Sequence, residues 1–253
     1  MGAVERDGRV LRATVARGRH GVLDGAALPE VEAALRGVDP DDTGAVLLVS
    51  DGESFCTGGD VRAFAGAADR RGYVHDLAGA FHGAVTAVVG CPVPVVAAVP
   101  GWAAGAGMSL VCAVDLAVGG RGTRLRPAYP GIGFSPDGGL TWTLPRIVGA
   151  GRAREILLTD RVVEAAEAHA LGLLAAVVDD GEVRAEAEAV AHRLAHGPTR
   201  ALGRIRRLLA ASPGAGLVEH LAAEAESIAD SAAGAEGTEG LTAFAEKRPP
   251  RFH

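Results

Sequence analysis

The chain has 253 residues, with 31 acidic against 25 Lys and Arg side chains, and its formal charge of -6 excludes a polybasic nucleic-acid binder. Hydrophobic residues make up 48% and charged residues 22%, values of a globular chain, which excludes a disordered or fibrous polypeptide. Two features depart from that background: 36 glycines beside only 6 Phe, 2 Trp and 2 Tyr, and a run of 38 residues, 77–114, without one Asp, Glu, Lys or Arg.

The first ten residues mix both charges and carry no apolar segment of a secretory signal, so a cytoplasmic location is expected. Residues 9–16 set Val10, Ala13 and Val15 among polar neighbours, a strand pattern. In residues 27–35, Leu28, Val31 and Leu35 recur at helical spacing, and Gly37 follows as a C-cap signal. The run AVLLV at 45–49 suits a strand covered on both faces. A glycine-rich loop occupies 51–60. The charge-free run is longer than the roughly 20 residues that cross a bilayer, yet Pro92, Pro94, Pro100, Gly101, Gly105 and Gly107 prevent one helix from running through it. It parses as a helix from 77 to about 90, a buried strand at 93–99, a glycine loop at 100–104 and a buried helix from 105. No membrane span is expected.

Beyond residue 150, segments 152–158, 165–171, 182–195, 199–211, 216–232 and 237–247 have helical composition. The composition shifts near residue 150, from Gly, Pro and β-branched runs to Ala, Glu and Arg at helical spacing, which reads as a mixed α/β core followed by a helical tail. Cys56, Cys91 and Cys112 are odd in number and set among apolar neighbours, as reduced core thiols are. His192 and His196 have helical spacing but no accompanying carboxylate set, so no metal site is expected.

Two glycine-containing loops each follow a buried strand: FCTGGD at 55–60 and GWAAGAGMS at 101–109. Loops at strand ends that open helices leave backbone N–H groups unpaired, and two such donors on different loops suit an oxyanion. Either loop alone reads better as a plain tight turn. Neither GxGxxG nor a phosphate-binding GK[ST] sequence occurs.

The segments ESFCTGGD and PVPVVAAVPGWAAGAGMSLVCAVDL resemble the two signature segments of the crotonase family, the enoyl-CoA hydratase/isomerase superfamily. The resemblance continues through AYPGIGFSPDGGLTWTLPRIVGAGRA to the tail EGLTAFAEKRPPRF and covers nearly the whole chain. It implies an α/β spiral of ββα units at 1–195 with a C-terminal helical trimerisation or lid region at 196–253, self-association as a trimer or hexamer, and a coenzyme A thioester as substrate in fatty acid metabolism. It implies no permanently bound cofactor.

By the same resemblance, the N–H groups of Gly59 and Ala106 form an oxyanion hole for the thioester oxygen. Family hydratases carry two glutamates at the positions of Ser109 and Tyr129, and both are absent. Asp137 occupies the place of the proton-transfer aspartate in members resembling 1,2-epoxyphenylacetyl-CoA and dienoyl-CoA isomerases, although an aspartate before two glycines is also a plain helix cap. The resemblance therefore implies an isomerase. Alternatives are a hydratase with atypical residues, a dehalogenase-like enzyme with Asp137 as nucleophile and His82 as base, and a non-catalytic acyl-CoA binder. Asp60 is expected to structure its loop. Arg62, Lys247 and Arg248 are candidates for CoA phosphates, Trp102, Tyr129 and Phe134 for the acyl pocket, and Phe244 for a cover over the ligand or an adjacent subunit. The early loop His20 to Asp24 diverges from the family pattern, so no role is carried over to it.

Overall fold

The computed structural model describes residues 2–253. An antiparallel pair opens the chain, β1 (Val4–Asp7) and β2 (Val10–Arg17), with β3 (Val22–Leu23) returning along the end of β2. Helix α1 (Leu28–Arg36) buries Leu28, Val31 and Leu35, the residues whose spacing predicts it. The run AVLLV lies in β4 (Ala45–Ser50), parallel to β2 and buried at all six positions. After the glycine loop come α2 (Val61–Gly66) and α3 (Arg70–Gly90), which begins one charged turn and more before the expected start.

From there the strands come in pairs. β5 (Val95–Val99) joins β4 in the large sheet, and β6 (Trp102–Ala104) turns away into a second sheet before α4 (Ala106–Val111). β7 (Leu116–Gly120) repeats the placement beside β5, and β8 (Arg124–Arg126) runs parallel to β6. Then follow α5 (Leu140–Val148), α6 (Ala150–Thr159), β9 (Val163–Glu164), α7 (Ala165–Ala170) and β10 (Ala176–Val178). The large sheet has the order β1-β2-β4-β5-β7-β10 and the small one β6-β8-β9. Stacked strand–strand–helix turns of this kind are the expected spiral. The expected loop at 100–104 needs correction, because β6 hydrogen-bonds to β8 there; three residues are too few to show a period.

Four helices close the chain: α8 (Val183–Ala195), α9 (Thr199–Ala211), α10 (Leu217–Ala233) and α11 (Ala235–Ala245). The alternation of β4 now has a reason. Val46 and Leu48 face a core shared with α1 and α3, whereas Ala45, Leu47 and Val49 face Val183, Ala187, Ala191 and Ala195 of α8. Alanines every four residues let α8 lie close to the sheet, and a Cβ on Gly44 would overlap the carbonyl of Ala195. Arg206 of α9 ties the helical region to the core. Its guanidinium donates to the carbonyls of Val88 (3.0 Å) and Cys91 at the end of α3 and to Asp115 Oδ2 (2.6 Å), which also accepts from the Val95 N–H.

The charge-free run thus forms the end of α3, all of β5 and β6, and α4, whose six residues are all buried. No helix among the described residues is long and apolar enough to cross a membrane. Cys56, Cys91 and Cys112 are free and buried, and burial pushes the thiols of Cys56 and Cys112 up to about 12. Gly107 sits where α4 meets the preceding loop, and a Cβ there would overlap the carbonyl oxygen of Cys56. Gly107→Ala is expected to destabilise the fold by about 1–3 kcal/mol, read as a lowered midpoint in thermal or urea unfolding.

Candidate active site

The two glycine loops are laced together by main-chain hydrogen bonds. Phe55 N–H donates to Pro100 O (2.8 Å), Cys56 N–H to Trp102 O (3.2 Å), and Ala104 N–H to Cys56 O (2.8 Å). Cys56 and Ala103 form a parallel bridge. Past it, both chains turn on glycines of positive φ, Gly58 at +92° and Gly105 at +56°. A Cβ on Gly105 would stand 3.6 Å from Gly58 Cα, and one on Gly58 would stand 3.9 Å from Ala106 N. The ladder stops there. The next amides, Gly59 N–H and Ala106 N–H, have no acceptor among the described residues, and both residues line the same cavity.

Asp60 then starts α2, its Oδ1 accepting from the N–H groups of Arg62 (2.9 Å) and Ala63 (3.3 Å). Its carboxylate is committed to shaping the loop, as expected.

The cavity has a volume of about 730 Å³. Leu23, Val61, Phe64, Val74, Leu77, Phe81, Ile132 and Phe134 give it apolar walls, and Asp137 is the one carboxyl group among its lining residues. Asp137 Oδ1 accepts a 2.6 Å hydrogen bond from the Tyr129 hydroxyl, while Oδ2 has no partner among the described residues. Burial, and then the adjacent Asp137 charge, push the Tyr129 phenol far above its ordinary value, so it remains a neutral donor. Ser109 is fully buried behind the pair. Its hydroxyl lies 3.1 Å from the Asp137 carbonyl, 3.3 Å from the Gly105 carbonyl and 3.4 Å from the Tyr129 hydroxyl.

The turn carrying Asp137 is fixed from a third side, where Gly138 N–H donates to His82 Nε2 (3.1 Å). That bond requires Nε2 to be unprotonated. Gly138 itself has φ +60°; a Cβ there would overlap the Phe81 ring and stand 2.8 Å from Ser109 Cβ.

Of the expected site residues, Gly59, Ala106, Tyr129, Phe134 and Asp137 line one cavity. His82 does not line it, and reaches it through the Gly138 amide. Trp102 corrects the expectation for the acyl pocket: it lies outside the lining, because β6 pairs it with β8 and the Arg124 guanidinium sits 5.5 Å over its ring. Arg62 is exposed on α2 outside the lining, and Phe244, 86% exposed, and Lys247 lie at the C-terminal helix, also outside it. Arg248 lies outside the lining as well, its guanidinium engaged by Glu239 (2.6 and 3.0 Å) and Glu246 (2.7 Å). Sequence reasoning missed Arg70, Arg71 and His75, which line the cavity from the first turns of α3. The signal available was Asp69, whose side chain caps that helix at Gly72 N–H (2.9 Å) and sets its start.

The sequence profile of the enoyl-CoA hydratase/isomerase family matches residues 6–253. A probable enoyl-CoA hydratase of Rhodobacter capsulatus is 36% identical over 208 residues, 82% of this chain and 80% of that protein. The 1,2-epoxyphenylacetyl-CoA isomerase of Escherichia coli is 33% identical over 223 residues, 86% of this chain and 84% of that one. The crystal structure of an enoyl-CoA hydratase/isomerase from Mycobacterium abscessus superposes with a TM-score of 0.92 at 31% identity, covering 99% of both chains. The chain belongs to the enoyl-CoA hydratase/isomerase family and has the crotonase fold. It is an enzyme of the acyl-CoA-processing class that this family defines.

Gly138→Ala tests the packing that holds Asp137. We expect turnover to fall about 100-fold, the scale of a displaced reacting group, with the loss read in steady-state kinetics on the best enoyl-CoA ester.

Proposed function

We propose that this enzyme is an enoyl-CoA double-bond isomerase that works through a thioester enolate, with Asp137 as acid and base. The observation that carries this reading is the solitary carboxyl group of the cavity, Asp137, with Oδ2 unpaired, beside two amides without acceptors. In this reading the thioester oxygen sits between Gly59 N–H and Ala106 N–H. Negative charge develops on that oxygen when a proton leaves the α-carbon, and rigid backbone donors stabilise it without reorganising. Each is worth about 3 kcal/mol of barrier. Asp137 Oδ2 takes the proton from C2 of a 3-enoyl ester, the electron pair passes into the dienolate, and the same proton returns at C4. The product is the 2-enoyl ester, and the carboxylate is regenerated without water.

Hydration makes different demands. It needs one group to deprotonate water and another to protonate carbon. At the two positions where family hydratases carry glutamate, this chain has a fully buried serine and a tyrosine whose proton is given to Asp137. The reading with Asp137 as nucleophile and His82 as base is less well supported, because His82 Nε2 already accepts from Gly138. Free CoA thioesters are the proposed substrates, with no resident cofactor. The proposal includes self-association as a trimer or hexamer, supported by Leu217, Val218, Ile228, Leu241 and Phe244, which stand exposed on α10 and α11.

The test is incubation with crotonyl-, 3-enoyl- and dienoyl-CoA esters. The wild-type chain should shift the double bond of the 3-enoyl or dienoyl ester and leave crotonyl-CoA unhydrated. Asp137→Asn should lower that turnover by about 10²–10⁴-fold while ester binding survives. Rapid formation of a β-hydroxyacyl ester would contradict the reading, and binding without any conversion would favour a non-catalytic member.

A further inference from the structure

We propose that Tyr129 is a positioning residue that dedicates one oxygen of Asp137 to proton transfer, with Ser109 bracing the pair from behind. The proposal rests on the isomerase reading and deepens it. A carboxylate has two equivalent oxygens, and rotation about its terminal torsion is soft and roughly two-fold. Each oxygen would otherwise sweep through the cavity.

The 2.6 Å bond from Tyr129 ties down Oδ1 and leaves Oδ2 as the basic atom. Tyr129 is itself buried, at 9% exposure, so water competes poorly for its proton. Its ring position is set by the turn at Pro130–Ile132, where Ile132 N–H (3.1 Å) and Phe134 N–H (3.0 Å) both donate to the Tyr129 carbonyl. Ser109 has one hydroxyl proton and three oxygens within 3.1 to 3.4 Å, including the Asp137 carbonyl and the Tyr129 hydroxyl. It contacts the aspartate's main chain and the tyrosine's head group together. The result is a one-carboxylate site built where a second and third carboxylate would otherwise compete for the proton.

The other titratable or charged groups around this pair are His82, bonded to Gly138 N–H, and the cavity-lining Arg70, Arg71 and His75 of α3. None is altered by Tyr129→Phe, which removes one oxygen and keeps the ring.

In Tyr129→Phe we expect kcat to fall about 10-fold or more while KM changes less than about two-fold. In a crystal structure of the variant the Asp137 carboxylate should no longer hold the single orientation that the Tyr129 hydroxyl imposes on Oδ1, a readout independent of turnover. In the double variant with Asp137→Asn, the tyrosine change should cost nothing further, because its effect passes through Asp137. An unchanged kcat and an unmoved Asp137 carboxylate in Tyr129→Phe, with Asp137→Asn inactive, would overturn the proposal alone. Full turnover by Asp137→Asn would overturn the isomerase reading and the proposal with it.

Discussion

The structure turns on an interruption. Two strand-end loops hydrogen-bond to each other as far as Ala104 and Cys56, then part on Gly58 and Gly105 and leave Gly59 and Ala106 with amides that have no acceptor among the described residues. Unpaired N–H groups beside an apolar cavity are unfavourable unless a ligand or water meets them. The surrounding fold makes the interruption tolerable, since β4, β5 and α4 are buried throughout and cannot relax to satisfy the amides from within. In the proposed reading an acyl thioester supplies the missing acceptor, and it does so best when its oxygen carries charge.

The acid–base side follows from the same economy of polar groups. An apolar wall of Phe64, Phe81 and Phe134 makes a second carboxyl group costly, and the chain places a neutral tyrosine and a buried serine around Asp137 instead. Gly138 is required because Phe81 and Ser109 close over it. The aspartate, its donor and its packing therefore form one unit, and the amides of Gly59 and Ala106 form another in the same cavity lining.

Much of the fold was legible in the sequence because its signals are local. AVLLV reads as a strand covered on both faces, and the prolines and glycines of the charge-free run divide it into helix, strand and helix. Asp60, expected to structure its loop, does so by capping α2. The short strands were not legible, since β6 and β8 exist only through each other. Site residues carried by motif were brought together, whereas Trp102 was misplaced because strand pairing, which no periodicity shows over three residues, turns it toward Arg124. Arg70, Arg71 and His75 escaped notice for the opposite reason. They look like a solvated helix start, and only the tertiary path of α3 brings that turn to the cavity.

The most direct measurement is a crystal structure with a non-reactive acyl-CoA ester bound. The account predicts the thioester oxygen about 2.7–3.1 Å from both Gly59 N and Ala106 N, and Asp137 Oδ2 about 3–3.5 Å from the α- or γ-carbon of the acyl chain. A thioester oxygen hydrogen-bonded elsewhere, or an Asp137 carboxylate turned away from the acyl carbons, would contradict it.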